Sequence, residues 1–128
     1  MRMLNKCFVV LALAALVTGC VSYPTPPMDR RVTVAPDLGS SVWVTDVRLT
    51  KGPSSHSTLQ ANVVNNTEDV VRMEYRVDWL DVTGSAIPSV VSTWLPISAA
   101  AREVVSLQAT APSPAAVDFR FYLQPERR

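Results

Sequence analysis

The sequence predicts an all-β domain of short antiparallel strands, and three observations carry this prediction. Apolar and polar residues alternate in several segments between residues 41 and 124, as in strands that bury one face. Prolines and scattered Asn, Asp and Gly residues interrupt these segments at intervals of roughly ten residues. A chain of 128 residues that is 48% hydrophobic is too apolar for a disordered tail, too rich in proline for a helix bundle, and long enough for one domain.

The first 19 residues differ from the rest and are predicted to be a signal peptide. Arg2 and Lys6 precede an apolar run from Cys7 to Val17, and that run is shorter than the roughly 20 residues needed to cross a bilayer. The segment Val17-Thr18-Gly19-Cys20 follows and is similar to a bacterial lipobox. The similarity implies cleavage before Cys20 and acylation of its thiol. The alternative is an ordinary secretory signal with a chance cysteine.

A lipid on Cys20 predicts the location of the protein. Several acyl chains give stable membrane anchoring, at about 0.8 kcal/mol for each buried methylene. The residue after the cysteine is Val21 rather than Asp, which is the usual retention signal for the inner membrane in enteric bacteria. We therefore expect a lipid-anchored protein on the periplasmic face of the outer membrane.

Residues 20–40 are predicted to be the lipidated cysteine and a flexible tether. The segment Tyr23-Pro24-Thr25-Pro26-Pro27 favours polyproline II and cannot pair within a central strand. The alternative concerns Arg31–Val34, whose β-branched residues could add a short edge strand before Pro36.

From residue 41 onward the alternation predicts six strands separated by turns: Ser41–Thr50, Thr58–Val64, Val70–Asp81, Ala86–Leu95, Glu103–Ala109 and Ala116–Gln124. Pro88 indicates that the fourth of them is an edge strand or contains a bulge. Residues 96–101 are predicted to be a connection, with one helical turn as an option at Ser98–Val104.

The third strand has the clearest pattern, because five apolar or aromatic residues alternate with four charged ones: Val71, Met73, Tyr75, Val77 and Trp79 against Arg72, Glu74, Arg76 and Asp78. A strand places these sets on opposite faces, whereas a helix would scatter both. Short antiparallel strands in this number predict an immunoglobulin-like β-sandwich of about seven strands over residues 41–128. A small barrel is the alternative.

The segment Tyr75-Arg76-Val77-Asp78-Trp79-Leu80-Asp81-Val82-Thr83-Gly84 resembles the signature of the YcfL-like small bacterial lipoproteins. The Asn65-Asn66-Thr67 turn before it, Trp94 and the Phe119–Leu123 strand after it, and the lipobox add to the resemblance. The resemblance implies an immunoglobulin-like sandwich in the cell envelope, and it implies no activity.

Catalytic and metal-binding chemistry finds little support in the sequence. The only histidine, His56, lies in a serine-rich loop without a nucleophile motif. Glu74 and Asp78 alternate with arginines, which is typical of a solvated, charge-paired face rather than a glycosidase site. We predict no catalytic residue, no metal site and no cofactor. A net charge of +1 argues against nucleic acid as a partner.

The three tryptophans bear on the predicted function. Trp79 is assigned to the core, and so is Trp43, which shares its parity with Val47 and Leu49. Trp94 precedes Pro96 near a predicted edge, so it is the candidate for an exposed interaction surface. The sequence thus predicts a non-enzymatic accessory module that binds an envelope protein. The alternative is a peptidoglycan- or carbohydrate-binding module that uses exposed aromatic residues.

Overall fold

The computed structural model describes Gly19, residues 28–52 and residues 54–128. The predictions for Cys20, for the signal peptide other than Gly19, and for the proline-rich segment before residue 28 lie outside these residues. No helix in the described part of the chain is long and apolar enough to cross a membrane.

Seven strands form two sheets, and the only helical element among the described residues is a 3-10 turn at Gly39–Ser41. The strands are β1 (Val32–Val34), β2 (Val42–Lys51), β3 (Ser57–Asn65), β4 (Val71–Leu80), β5 (Leu95–Ala99), β6 (Val104–Thr110) and β7 (Asp118–Pro125). One sheet has the order β1-β7-β4-β5 and the other the order β2-β3-β6. This confirms the all-β, immunoglobulin-like sandwich with about seven strands. All pairs are antiparallel except β1 with β7, which is parallel.

The core lies between the sheets and has the alternation that the sequence predicts. Trp79 is only 1% exposed and packs edge-to-face on Phe119, with ring centroids 6.4 Å apart. Tyr75 stacks on Phe121 at 5.8 Å. The inward residues of β3 are also buried, as predicted: Leu59, Ala61 and Val63. The inward residues alternate with outward residues that are polar in most positions, so the alternation predicted for β3, β4 and β7 is confirmed.

The ordered domain begins earlier than predicted, because β1 lies within residues 20–40, the range assigned to the tether. Val32 is buried and pairs with Phe121, and the Ala35 N–H donates to the Leu123 carbonyl at 2.8 Å. Leu38 is buried in the same core. The alternative of an edge strand at Arg31–Val34 is therefore the one observed, and a domain boundary at residue 41 is too late.

A β-bulge in β2 corrects the prediction for Trp43. The register with β3 shifts between Thr45 and Arg48, and Asp46 has a φ of 53°. An extra residue reverses the parity of the strand, so that inward residues are even-numbered before the bulge and odd-numbered after it. Trp43 therefore lies half-buried on the outer face, while Val47 and Leu49 point inward as predicted.

The fourth predicted strand is wrong in position. Residues 86–94 form a loop with a single bridge between Leu80 and Ala86, and β5 occupies Leu95–Ala99, where a connection was predicted. Ile97 and Ala99 provide the inward apolar residues, and both are buried. No helix forms at Ser98–Val104, because β5 ends at Ala99, β6 begins at Val104 and the four residues between them form the turn that joins the two strands.

One buried side chain fixes the end of the sandwich where β5 passes into β6. Asn65 is 0% exposed, and its amide donates to the carbonyls of Asp69 and Ala100 at 2.7 and 2.9 Å. Its Oδ1 accepts from the N–H and hydroxyl of Thr67. This side chain therefore ties the β3–β4 turn to the β5–β6 turn.

Candidate interaction site

The four edges of the two sheets differ in how they are protected against pairing with another chain. Edge strands are commonly protected by short length, charge, proline or a bulge. β1 has only three residues, β2 has the bulge at Asp46 and the charged Arg48 and Lys51, and β5 has five residues including Pro96. β6 has seven residues with none of these features: its sequence is Val-Val-Ser-Leu-Gln-Ala-Thr. β6 is therefore the unprotected edge.

The backbone of β6 uses alternate residues to pair with β3. The Ala111 N–H donates to the Ser57 carbonyl at 2.8 Å, and the Asn65 N–H donates to the Glu103 carbonyl at 2.9 Å. Since hydrogen-bonded pairs alternate along an antiparallel ladder, the odd-numbered residues of β6 face β3. The N–H and carbonyl groups of the even-numbered residues point away from the sheet: Val104, Ser106, Gln108 and Thr110.

The inward side chains of β6 are less covered than those of its neighbour. Val105, Leu107 and Ala109 are half-buried, whereas their partners on β3 are buried. The difference follows from the sheet order, because β3 lies between two strands whereas β6 has a neighbouring strand on one flank only in the described part of the chain.

A cavity of about 230 Å³ opens between the sheets on this side. Its walls come from β4, β5, β6 and the loop before β5, and they include Tyr75, Val77, Trp79, Val91, Leu95 and Ala109. Most of these side chains are apolar, so the cavity suits apolar groups.

The loop of residues 86–94 borders the cavity and is held by few hydrogen bonds. Val90 is 95% exposed and Val91 is 49% exposed. The Ser92 N–H donates to the Ser89 carbonyl at 3.3 Å, while the Ser92 hydroxyl is buried without a hydrogen-bond partner in the described part of the chain. Segments with few backbone hydrogen bonds and exposed apolar residues open at low free-energy cost.

Trp94, the predicted interaction residue, lies half-buried at the end of this loop. The guanidinium of Arg127 lies 5.5 Å from its ring centroid and also pairs with Glu74 at 2.8 Å. Hydrogen bonds from Arg127 and Gln124 hold the pKa of the Glu74 carboxyl below its usual value. Trp94 is therefore partly exposed, as expected, and its role in binding stays a prediction.

The outer face of the three-stranded sheet forms a second, polar depression of about 360 Å³. The Asn62 amide donates to the Asp46 carboxylate at 3.0 Å, and the Ser106 hydroxyl donates to Asn62 Oδ1 at 2.9 Å. Trp43 lies on the same face, where it pairs with Val64. It is two residues before Thr45, which pairs with Asn62 of the depression. Its indole Nε1 is buried without a hydrogen-bond partner among the residues described.

The residues considered for catalysis are not brought together. Nδ1 of His56 lies 3.1 Å from the hydroxyl and the carbonyl of Ser54 in an exposed loop. Asp78 pairs with Arg76 at 2.7 Å on the outer face of β4. Within residues 28–52 and 54–128, no cluster of His, Cys, Asp and Glu residues has the geometry of a metal site.

Sequence reasoning missed the unprotected edge, although the sequence contains a signal for it. Between Asp81 and Asp118 the only charged residues are Arg102 and Glu103, which lie in the turn before β6. The loop, β5 and β6 all fall in this segment. A long segment nearly without charge that includes exposed valines is unusual for the surface of a protein that exists alone.

Known proteins share this fold. A crystal structure of a DUF1425 family member from Shewanella sp. pv-4 superposes with a TM-score of 0.62 at 16% identity, covering 68% of this chain and 80% of that one. The crystal structure of Campylobacter jejuni cj0090 gives a TM-score of 0.63 at 22% identity, covering 77% and 100%. None of the curated proteins matches. Residues 29–125 match a family model described as "Protein of unknown function (DUF1425)", so this chain belongs to the DUF1425 family.

Proposed function

We propose that this DUF1425 protein is a YcfL-like, lipid-anchored module of the cell envelope that binds another protein and catalyses no reaction. The observation that carries the binding part is the unprotected edge of β6 beside an apolar cavity. An edge of this kind is a template for pairing with another chain, and soluble proteins normally protect it. The three other edges in this sandwich have such protection.

The surface around β6 supports a protein partner rather than a charged ligand. Val90, Val91, Leu95 and Val104 are exposed on the loop, β5 and β6. Their burial against a partner is favourable at about 25 cal/mol for each Å² of apolar surface. The nearest charged side chains in sequence to β6 are Arg102 and Glu103, and Arg102 is already paired with Glu68 at 2.8 Å.

The lipid anchor rests on the similarity of Val17–Cys20 to a lipobox, and the outer-membrane location rests on Val21. A serine hydroxyl does not accept diacylglycerol in this modification, so Cys20→Ser should remove the label from a clickable fatty acid in growing cells. The Cys7→Ser variant is the matched control and should keep the label. Label retained by Cys20→Ser would contradict the anchor.

Protein binding is tested by photo-crosslinking in intact cells. A benzophenone amino acid at Val90 probes the uncharged side. The same amino acid at Arg120 or Thr33 probes exposed positions on β7 and β1, the two strands of the larger sheet that are farthest from β5. We expect discrete crosslinked proteins from Val90 and few from the two control positions. Equal patterns from all three positions would contradict binding at this side.

A second candidate is binding to peptidoglycan or another carbohydrate, and the position of Trp43 favours it. This half-buried ring lies in line with the polar depression on the outer face, which offers amide and hydroxyl groups to a sugar. Sedimentation with purified peptidoglycan tests the candidate. Loss of binding in Trp43→Ala, with retention in Trp94→Ala, would favour it.

A further inference from the structure

We propose that β6 accepts one extended segment of a partner protein as an additional strand, so that the three-stranded sheet becomes four-stranded. The inference rests on the proposed function, since it specifies how the partner binds. The segment expected is uncharged and extended, about seven residues long, with apolar side chains at alternate positions. It would lie beside Val104–Thr110.

The backbone supports this occupant because the free groups of β6 are regularly spaced. Ser106 and Gln108 direct their N–H and carbonyl groups away from β3, and so do the residues at the two ends of the strand. An added strand satisfies all of these groups with main-chain hydrogen bonds. No helix or side-chain surface matches donors and acceptors at this spacing.

The space between the sheets supports an apolar alternation in the segment. Side chains of an added strand that point inward would meet Leu95 and Tyr75 on the larger sheet, where the cavity of about 230 Å³ lies. They would also cover Leu107, which is only half-buried. The outward side chains would continue the polar row of Asn62 and Ser106.

Sheet geometry favours a single segment over a second copy of this chain. In antiparallel pairing, a second copy joined through its own β6 would place its larger sheet on the same side of the joined sheet, next to the β5 edge of the first copy. A lone strand brings no second sheet to that position and leaves the cavity between β5 and β6 to its own inward side chains.

The test is crosslinking of the full chain in intact cells, with the benzophenone amino acid placed at Ser106 or at Gln108. Strand addition predicts that both positions crosslink one short segment of one protein. The crosslinked site should move by two residues along that segment when the probe moves by two residues. Mass spectrometry of the crosslinked peptides reads this shift.

Other outcomes separate the two proposals. Crosslinks to scattered residues of a folded partner would overturn strand addition and leave protein binding intact. Crosslinks to β6 of a second copy, or to residues 1–27 of this chain, would also overturn it. Absence of crosslinks from Ser106, Gln108 and Val90 together would overturn the proposed function itself.

A proline pair provides the matched variants. Gln108→Pro removes an N–H that points away from β3, and the proline ring blocks approach at the edge. Lys51→Pro does the same on β2. After the bulge, the backbone N–H groups of its odd-numbered residues point away from β3, toward the free edge of the sheet. We expect Gln108→Pro to lower crosslinking from Ser106 at least about tenfold and Lys51→Pro to leave it unchanged. Equal crosslinking in the two variants would contradict the proposal, and a thermal melt of each verifies folding.

Discussion

The two lateral edges of the sandwich, formed by β1 with β2 and by β5 with β6, differ in how they close the core. On the side of β1 and β2, Arg31 pairs with Asp29 at 2.8 Å and lies 4.5 Å from the centre of the Phe119 ring. Val32 and Leu38 close the core there. On the side of β5 and β6, the inward residues of β6 are half-buried, a cavity remains, and the bordering loop has few hydrogen bonds.

This difference separates the residues that stabilise the fold from those that are available for contact. The β1 side uses charge, a bulge and a short strand, which also protect its edges from other chains. β6 has none of these features, and the segment between Asp81 and Asp118 that contains it has two charged residues. We therefore expect substitutions in the centre and on the β1 side to change stability, and substitutions on the edge of β6 to change binding.

The largest effect is expected at the centre, from Trp79→Ala. The variant removes a buried indole that contacts Phe119, and such truncations cost about 3–5 kcal/mol of unfolding free energy. Trp94→Ala is the matched control on the β6 side and should cost less than about 1.5 kcal/mol, because this ring is half-buried. Urea melts of the two variants measure the difference. Similar costs would contradict the assignment of the core.

The next effect concerns the corner where the β6 side is fixed, and Asn65→Ala tests it. Loss of the amide leaves the buried Ala99 carbonyl and the partly buried Ala100 carbonyl short of a donor, at a cost of about 2–3 kcal/mol. Asn62→Ala on the same strand is the control, since its hydrogen bonds are exposed, and should cost less than about 1 kcal/mol. If both variants melted alike, Asn65 would not fix this corner.

The β1 side should also be sensitive to acid. Hydrogen bonding to Arg31 lowers the pKa of the Asp29 carboxyl below its usual value of 3.8. A depressed folded-state pKa adds stability above the unfolded-state pKa, and this stability is lost as the pH falls through the folded-state value. We expect Asp29→Asn to be less stable than wild type at pH 6, and the difference to shrink below about pH 4. Chemical melts from pH 6 to pH 2.5 measure it, with the exposed Asp37→Asn as control; a constant difference would contradict the pairing.

The smallest effect on stability is expected at the edge of β6. Gln108→Lys places a charge where natural edge strands often carry one and should change the unfolding free energy by less than about 0.5 kcal/mol. Crosslinking from Ser106 should nevertheless fall, because the charge disfavours an apolar, paired neighbour. A large loss of stability with unchanged crosslinking would contradict the assignment of the β6 edge to binding rather than to stability.

Much of the fold could be predicted from local alternation, because β3, β4 and β7 each bury one face and expose the other. The predictions for Trp43 and for residues 86–94 were wrong because contacts distant in sequence determine which residues there form a strand and which face they occupy. The bulge at Asp46 reverses parity in a strand whose sequence reads as continuous, so Trp43 was assigned to the core. Residues 86–94 contain several β-branched residues and were predicted as a strand, yet the buried pair of Ile97 and Ala99 takes the position beside β4.

The candidate site was only partly predictable, because an edge is a property of sheet order rather than of a segment. Trp94 was identified from its neighbour Pro96, and its half-buried ring lies against Arg127 rather than in the wall of the cavity. β6 was predicted as a strand, but its edge position among the described strands appears only in the order β2-β3-β6. The scarcity of charge between Asp81 and Asp118 is the sequence feature that could have indicated it.

The most direct test is residue-resolved amide hydrogen exchange across β6, measured on the purified full chain in detergent. We predict an alternation: slow exchange at Val105, Leu107 and Ala109, which pair with β3, and fast exchange at Ser106 and Gln108, which point away from it. The partner segment identified by crosslinking, added as a peptide, should slow amide exchange at Ser106 and Gln108. It should leave exchange at the residues paired with β3 unchanged. Uniform protection along β6 in the purified chain, or fast exchange at Ser106 and Gln108 that the peptide does not slow, would contradict an edge that is open to a partner.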